Sequence, residues 1–458
     1  MINIGNISIT NLFLGSTQVS KVYLGDVQVW PIESNYVTFT AQQANSTIGL
    51  HQLSPYQTLE YSTNAVTWNT FDTSVTITLA NVGDEVYIRG VLNGDNTLSE
   101  CTQFSMTGLI AASGNCNALW NYKDLNAPLK QYCGSGMFLN CTSLTTAPAL
   151  PATTLTNYCY ASMFQNCSSL ISAPELPATK LASCCYASMF NECISLTTAP
   201  VLPATTLSDS CYSGMFWSCT SLTTAPALPA TTLADYCYSY MFWSCTSLTT
   251  APELPATTLA SYCYNNMFMD CTSLTTAPEL PATTLASNCY DSMFYNCTSL
   301  TTTPELPATI LADWCYYYMF YNCTSLTKAP ELPATTLADY CYSYMFSDCT
   351  SLTKAPELPA TTLADWCYGN MFQSCTSLTT APELPATNLA EGCYSNMFYN
   401  CSSLNYIKCL AIDISATNCT SVWVLGVSAT GTFIKNPSMT SWTTGNNGIP
   451  TGWNVQDA

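Results

Sequence analysis

Apolar residues return in fixed columns along most of this chain. Between about residues 131 and 404 the pattern recurs every 26 residues without a slip: 271–296 reads CTSLTTAPELPATTLASNCYDSMFYN and 297–322 reads CTSLTTTPELPATILADWCYYYMFYN. A Met-Phe pair keeps the register eleven times, from Met137-Phe138 to Met397-Phe398. So short a unit cannot enclose a core of its own, and equivalent apolar positions must stack across neighbouring units. In one unit these are Cys271, Leu274, Leu280, Leu285, Cys289, Tyr290, Met293 and Phe294. Residues 275–277 read as a short strand pairing with its equivalent one unit on, kept brief because Pro278 and Pro281 cannot donate a ladder bond. Residues 285–294 read as an outer wall that could include a short helical turn. At a strand spacing of about 4.8 Å, eleven coils would build a rod or arc of roughly 50 Å.

The flanks change period. Residues 1–32 hold a small duplication, LFLGSTQV at 12–19 against VYLGDVQV at 22–29, in which apolar alternation around Gly15 and Gly25 predicts short strands or hairpins. A piece this small is not stable alone and is expected to dock elsewhere. Residues 33–107 alternate with period two (Tyr36 to Thr40, Val75 to Leu79, Val86 to Ile88), as an Ig-like antiparallel β-sandwich does. Residues 108–130 then cap the first coil of a solenoid spanning 108–404. From about 405 the period fades and Trp423, Trp442 and Trp453 appear among Gly-rich turns, the expected C-terminal β cap over 405–458. The fold class is β-rich: a repeat solenoid between a small β-sandwich and a β cap.

Composition narrows the chemistry. The chain is 48% apolar and 12% aromatic, so it can fold, but only 8% charged, with a formal charge of −19. Nine Lys and Arg with no basic cluster argue against nucleic acid. No run of 18 apolar residues suggests a membrane span, and the first residues lack the basic start and apolar run of a secretory signal. Export by that route is therefore not expected. Of 27 cysteines, 22 form two columns stepping with the repeat, Cys133 to Cys393 and Cys141 to Cys401. His51 is the chain's single histidine, so zinc sites have no support and no cofactor is expected. Buried reduced thiols acting as small hydrophobes are the expected state, disulfides the alternative.

The spelling MFxNCTSLTTAPELPATTL resembles the BspA-type leucine-rich repeats of bacterial surface proteins and their phages. Phe138 matches that family's aromatic-before-Cys position and Cys141 with Leu144 its Cys-x-x-Leu start. The likeness covers about 60% of the chain and implies a leucine-rich-repeat stack. The chain departs from it in three ways: 26 residues per unit instead of about 23, Met-Phe in place of Ala-Phe, and two prolines after the strand. Residues 1–32 are also similar to N-terminal segments of phage tail and fibre proteins, which implies attachment to other virion proteins.

Comparing units shows which positions tolerate change. The residue after Met-Phe is free to vary, so it should be partly exposed, and it places Trp217, Trp243, Met269, Tyr295 and Tyr321 in a row. A second variable row precedes the Cys-Tyr pair: Tyr236, Tyr262, Asn288, Trp314, Tyr340 and Trp366. Such rows suit sugar rings or a protein hot spot, or else pack laterally and seal the wall. Stacked carboxylates at Glu279, Glu305, Glu331 and Glu357 are weak calcium candidates beside the plainer reading of a solvated, solubilising face. Lys328 and Lys354 lie where they could partly neutralise them. HExxH, GxSxG and phosphate-loop motifs are missing.

The expectation is a non-enzymatic virion protein, a tail fibre or capsid decoration, that presents the stack to a host surface protein or glycan. It could form a homo-oligomer, as fibres often do. A bacterial cell-surface adhesin with the same repeats, or a spacer with no ligand, are the alternatives.

Overall fold

The computed structural model describes residues 34–458 apart from residue 98; of residues 1–33 it describes six short strands. These pair antiparallel as Ile2–Ile4 with Ile7–Ile9, Leu12–Leu14 with Thr17–Val19, and Val22–Leu24 with Val27–Trp30. Gly15 and Gly25, around which the duplication was placed, lie outside the described residues.

The period-two segment forms two sheets. The larger runs, in order, through Asn69–Phe71, Gln57–Ser62, Glu85–Leu92, Val37–Ala41, Ile110–Ser113 and Leu144–Thr146; the smaller through Ile77–Leu79, Ser46–Gln52 and Gln103–Thr107. Alternate residues point inward, as Val37, Phe39, Ala41, Val86 and Ile88 show by their complete or near-complete burial. The last strand of the larger sheet, Leu144–Thr146, belongs to the first repeat, and it joins Ile110–Ser113 in parallel. Phe104 takes the place of a repeat phenylalanine: its N–H donates to the Met137 carbonyl (2.8 Å) and its ring stacks on Phe138 at 5.2 Å. The Cys141 thiol donates to the Phe104 carbonyl (3.5 Å), as the Cys167 thiol does to that of Phe138 (3.1 Å). The sandwich therefore supplies much of the stack's first coil, and one apolar cluster runs from Val37 to Trp453.

Inside the stack the columns form as expected. Cys271, Leu274, Leu280, Cys289, Tyr290, Met293 and Phe294 are all at most 2% exposed, while Leu285 remains half-buried. The phenylalanine rings stack coil on coil, at 5.4 Å for Phe138 on Phe164 and 5.7 Å for Phe268 on Phe294. Truncating one such interior ring to alanine typically costs about 3–5 kcal/mol.

Two walls enclose this core, and they differ in bonding. On the strand side, pairing shrinks to single parallel bridges such as Thr250 to Thr276 and Thr276 to Thr302, because the prolines interrupt what would be a longer ladder. On the other side the helical turn expected within 285–294 does not form. The chain instead runs through overlapping turns in which every fourth residue is left-handed, for example Tyr262 (φ +56°), Asn266 (+54°) and Asp270 (+60°). In this ribbon alternate N–H groups serve different partners. Those of Tyr264, Met267 and Phe268 illustrate the alternation: Tyr264 donates to Cys289 of the next coil (3.0 Å), Met267 to Tyr264 of its own (3.2 Å), and Phe268 to Met293 of the next (2.9 Å). An α-helix would spend every N–H within its own segment and leave nothing to hold the neighbour.

Past residue 405 the coil path persists although the spelling fades. Thr380–Leu384, Tyr406–Cys409, Thr432–Lys435 and Asn454–Asp457 form one parallel sheet, and the Phe398 N–H donates to the Trp423 carbonyl (2.9 Å). Trp423 is fully buried between Tyr394 (6.3 Å) and Trp442 (5.8 Å), closing the end of the core. Among the described residues the single α-helix is Ala118–Asn121, and no helix is long and apolar enough to cross a membrane.

All 27 cysteines are free thiols, and every one is buried except Cys184, which is partly exposed. Burial pushes the Cys245 and Cys289 thiols up to about 12, so they hold their protons at neutral pH. A thiol reagent at pH 8 should label about one cysteine per native chain and all 27 after denaturation. Rapid native labelling of several would contradict the packing described.

Candidate functional site

The left-handed residues of the turn wall determine where side chains leave the stack. Three of them per coil (those before Cys-Tyr, before Met-Phe and before the second Cys) are mostly half-buried or exposed, with Ser292 and Asn370 among the buried exceptions, beside the core that Cys, Tyr, Met and Phe fill. The row before Cys-Tyr holds Trp314 (φ +59°), Tyr340 (+55°) and Trp366 (+56°). A left-handed backbone costs a bulky L residue roughly 1–2 kcal/mol. Asn288, Gly392 and Asn418 occupy the same position in other coils without that penalty. Aromatic residues stand here against the backbone's preference.

Stacking offsets some of that cost. Trp314 lies on Tyr340 with ring centroids 4.0 Å apart and planes at 10°; Tyr340 lies parallel to Trp366 at 5.9 Å. Tyr236 and Tyr262 make a separate pair at 4.5 Å. Gly392 is required above Trp366, since a Cβ there would come within 2.4 Å of the indole. In the row after Met-Phe, Trp217 stacks on Trp243 (4.3 Å) and Tyr295 on Tyr321 (4.5 Å), and Met269 separates the two pairs. All four rings are half-buried, but Asn191 and Ser347 in the same row are buried. Tolerance of small polar residues at these positions therefore reflects shading by neighbours as well as exposure. The five-residue row is really two stacked pairs, whose ring faces are spent on each other and whose edges face outward.

Between the rows a third group completes a plateau. Tyr317 contacts Trp314 (4.6 Å) and Tyr318 (4.3 Å) edge-on, and Tyr318 stacks on Tyr344 (4.4 Å) and meets Tyr321 (5.3 Å). Beside it, Asp313, Asp339 and Asp365 are exposed but fixed: one oxygen of each accepts the backbone N–H of the equivalent residue in the next coil, at 3.2, 3.1 and 3.1 Å. Asp291 lies deeper. Its carboxylate accepts from the Ser292 hydroxyl (2.7 Å), and burial raises its titration to about 6 against the lowering effect of hydrogen bonds from Ser292 and Asn265.

The acidic row on the strand side is different. Glu279, Glu305, Glu331 and Glu357 are exposed, and among the described residues no three His, Cys, Asp or Glu side chains converge as a metal site would need. Lys328 and Lys354 are bridged to each other through their backbones and form no ion pair with these glutamates; Lys408 instead pairs with Glu383 (3.0 Å).

Two features escaped the sequence reading. Grooves run between successive proline segments, one of them about 440 Å³ and lined by Thr301 to Pro307, Lys328 to Glu331 and Pro333. The paired prolines were the available signal, since a chain bent twice per coil cannot close on its neighbour. Asp291 was the second. It stands in a column whose other ten members are Ser, Ala, Asn, Gly or Tyr (Ser213, Ser239, Asn265, Tyr317, Ser343 and Gly369 among them), and a carboxylate at a shaded position is conspicuous there.

In comparison with known proteins, the profile described as BspA type Leucine rich repeat region (6 copies) matches residues 115–249, 187–327, 235–362 and 290–419, together about two thirds of the chain. No curated protein matches significantly.

Asp291 has a measurable consequence. Its unfolded counterpart ionises near 4, so between about pH 4 and 6 the unfolded chain holds fewer protons and stability falls as pH rises. Asp291→Asn should be neutral below about pH 4 and stabilising by about 3 kcal/mol at pH 7, measured by denaturant melts. A variant no more stable than the parent at pH 7 would refute the buried-carboxylate assignment.

Proposed function

The chain belongs to the BspA-type leucine-rich repeat family, whose repeats mark surface- or adhesion-type proteins, and we propose that its stack is a non-enzymatic adhesion surface of a phage fibre or decoration protein that engages a polymer on the bacterial host. One observation carries this reading. Aromatic residues occupy left-handed positions at Trp314, Tyr340 and Trp366 where Asn or Gly would be easier for the fold. A wall needed only for spacing has no use for that choice. The turn wall is also long and continuous, which suits an extended partner better than a compact one.

The virion assignment draws support from the three N-terminal hairpins, short paired strands of the kind that dock on another protein. In the alternative address, a bacterial cell surface, the same wall would do the same work. Catalysis has little to stand on. The exposed carboxylates recur as equivalent rows, whose members share one environment and so lack the split in acidity that acid–base pairs need.

The test uses the full chain and a panel of purified host-surface polymers that includes anionic (teichoic acid, lipopolysaccharide), neutral and amino-sugar-bearing ones. Trp314→Asn with Tyr340→Asn removes two rings and relieves two strained residues, at the loss of stacking worth about 1 kcal/mol. The thermal midpoint should barely move while binding to the recognised polymer drops tenfold or more. Undiminished binding by the double variant would favour a ligand-free spacer, and no binding by the parent would remove the adhesion reading.

A further inference from the structure

The charge of the turn wall specifies its ligand more closely, if the wall is the adhesion surface proposed above. Across the eleven turn segments from residue 131 to residue 400 stand ten carboxylates: Glu192, Asp209, Asp235, Asp270, Asp291, Asp313, Asp339, Asp348, Asp365 and Glu391. No Lys, Arg or His accompanies them; the stack's three lysines, Lys180, Lys328 and Lys354, sit in the strand and bridge segments of the other walls. A face of this kind repels anionic polymers and attracts cationic ones.

We infer that the aromatic plateau around Trp314, Tyr318 and Tyr340 binds a polysaccharide carrying free, protonated amino groups. The carboxylates of Asp313, Asp339 and Asp365 flank it one per coil. Each has one oxygen held by a backbone N–H of the next coil, so its side chain is placed before any ligand arrives. The second oxygen stays at an exposed position and can accept a charge-assisted hydrogen bond from an ammonium group. The ring stack leaves phenol and indole edges outward, and these meet sugar hydroxyls.

Spacing separates this ligand from a basic peptide. Successive carboxylates lie one coil apart, about 4.8 Å. In an extended peptide, side chains on one face recur at about 6.8 Å, twice the residue rise, so lysines fall out of step within two or three coils. In an extended sugar polymer whose alternate rings turn over, amino groups on one face recur every second ring, a distance close to two coil steps, so they stay in register with every second carboxylate.

Full-length protein should be titrated calorimetrically with glucosamine oligomers, with the same oligomers fully N-acetylated, and with oligolysine. The free-amine oligomer should bind at least tenfold tighter than the acetylated one, and weaken as salt is added. Asp313→Asn, Asp339→Asn and Asp365→Asn together keep an oxygen for each backbone N–H but remove the charge. That variant should fold normally and bind both sugar oligomers alike. Equal affinities in the parent, preference for the acetylated form, or tighter binding of oligolysine would each overturn the inference. If the parent still binds a polymer from the surface panel in any of those cases, the adhesion reading stands without it.

Discussion

Everything in the stack depends on one backbone arrangement, the turn ribbon that sends alternate N–H groups to the next coil. In the unit at residues 261–270 five such bonds reach the neighbour, from Tyr262, Tyr264, Asn266, Phe268 and Asp270. The strand wall of the same unit contributes little more than the bridges at Thr258 and Thr276. The usual balance of a leucine-rich repeat, with a continuous strand ladder on one side, is shifted here onto the opposite wall. Two prolines per unit make that shift possible, because they remove donors that the strand would otherwise use. The thiols reinforce it. Each second-column cysteine donates to a phenylalanine carbonyl of the coil before, as Cys271 does to Phe242 (3.1 Å), which explains why a residue with a weak donor is used where alanine or valine would fill similar space.

How much of this could be read in advance follows from what a period encodes. Stacking of Cys, Leu, Met and Phe was legible because burial demands the same residue in every unit, and repetition exposes the demand. The turn ribbon was not legible. Residues 285–294 have the aromatic spacing of an amphipathic turn, but the deciding property is backbone sign, and residues as unlike as Asn288, Trp314 and Cys184 all adopt positive φ at one position. The N–H ladder overrides their individual preferences. Lys328 and Lys354 misled for another reason. Sequence proximity to a glutamate row does not determine reach, and parallel stacking places each lysine above its own equivalent, not above a carboxylate. The two aromatic rows are legible in the sequence, but neither is a continuous stack, since Met269 divides one and Asn288 the other.

The outer wall shows a division between what the fold needs and what it tolerates. Buried columns hardly vary. Positions along the ribbon's outer edge range from Gly to Trp, because the coil-to-coil bonds are made by main chain and do not care what the side chain is. Binding chemistry can thus be rewritten on this surface at small cost to the core. The cost that remains, strain at bulky left-handed residues, is local, and stacking on the neighbour offsets part of it.

Because each coil grips the next through an identical set of main-chain contacts, the assembly has no privileged length. Insertion or deletion of one whole unit would leave every junction chemically unchanged, sliding the plateau nearer to or farther from the sandwich by one step. Near-identical units also invite unequal recombination between their coding segments. The reach of the molecule and the number of rungs on its outer face could then diverge quickly between close kin, long before anything in the interior had to change.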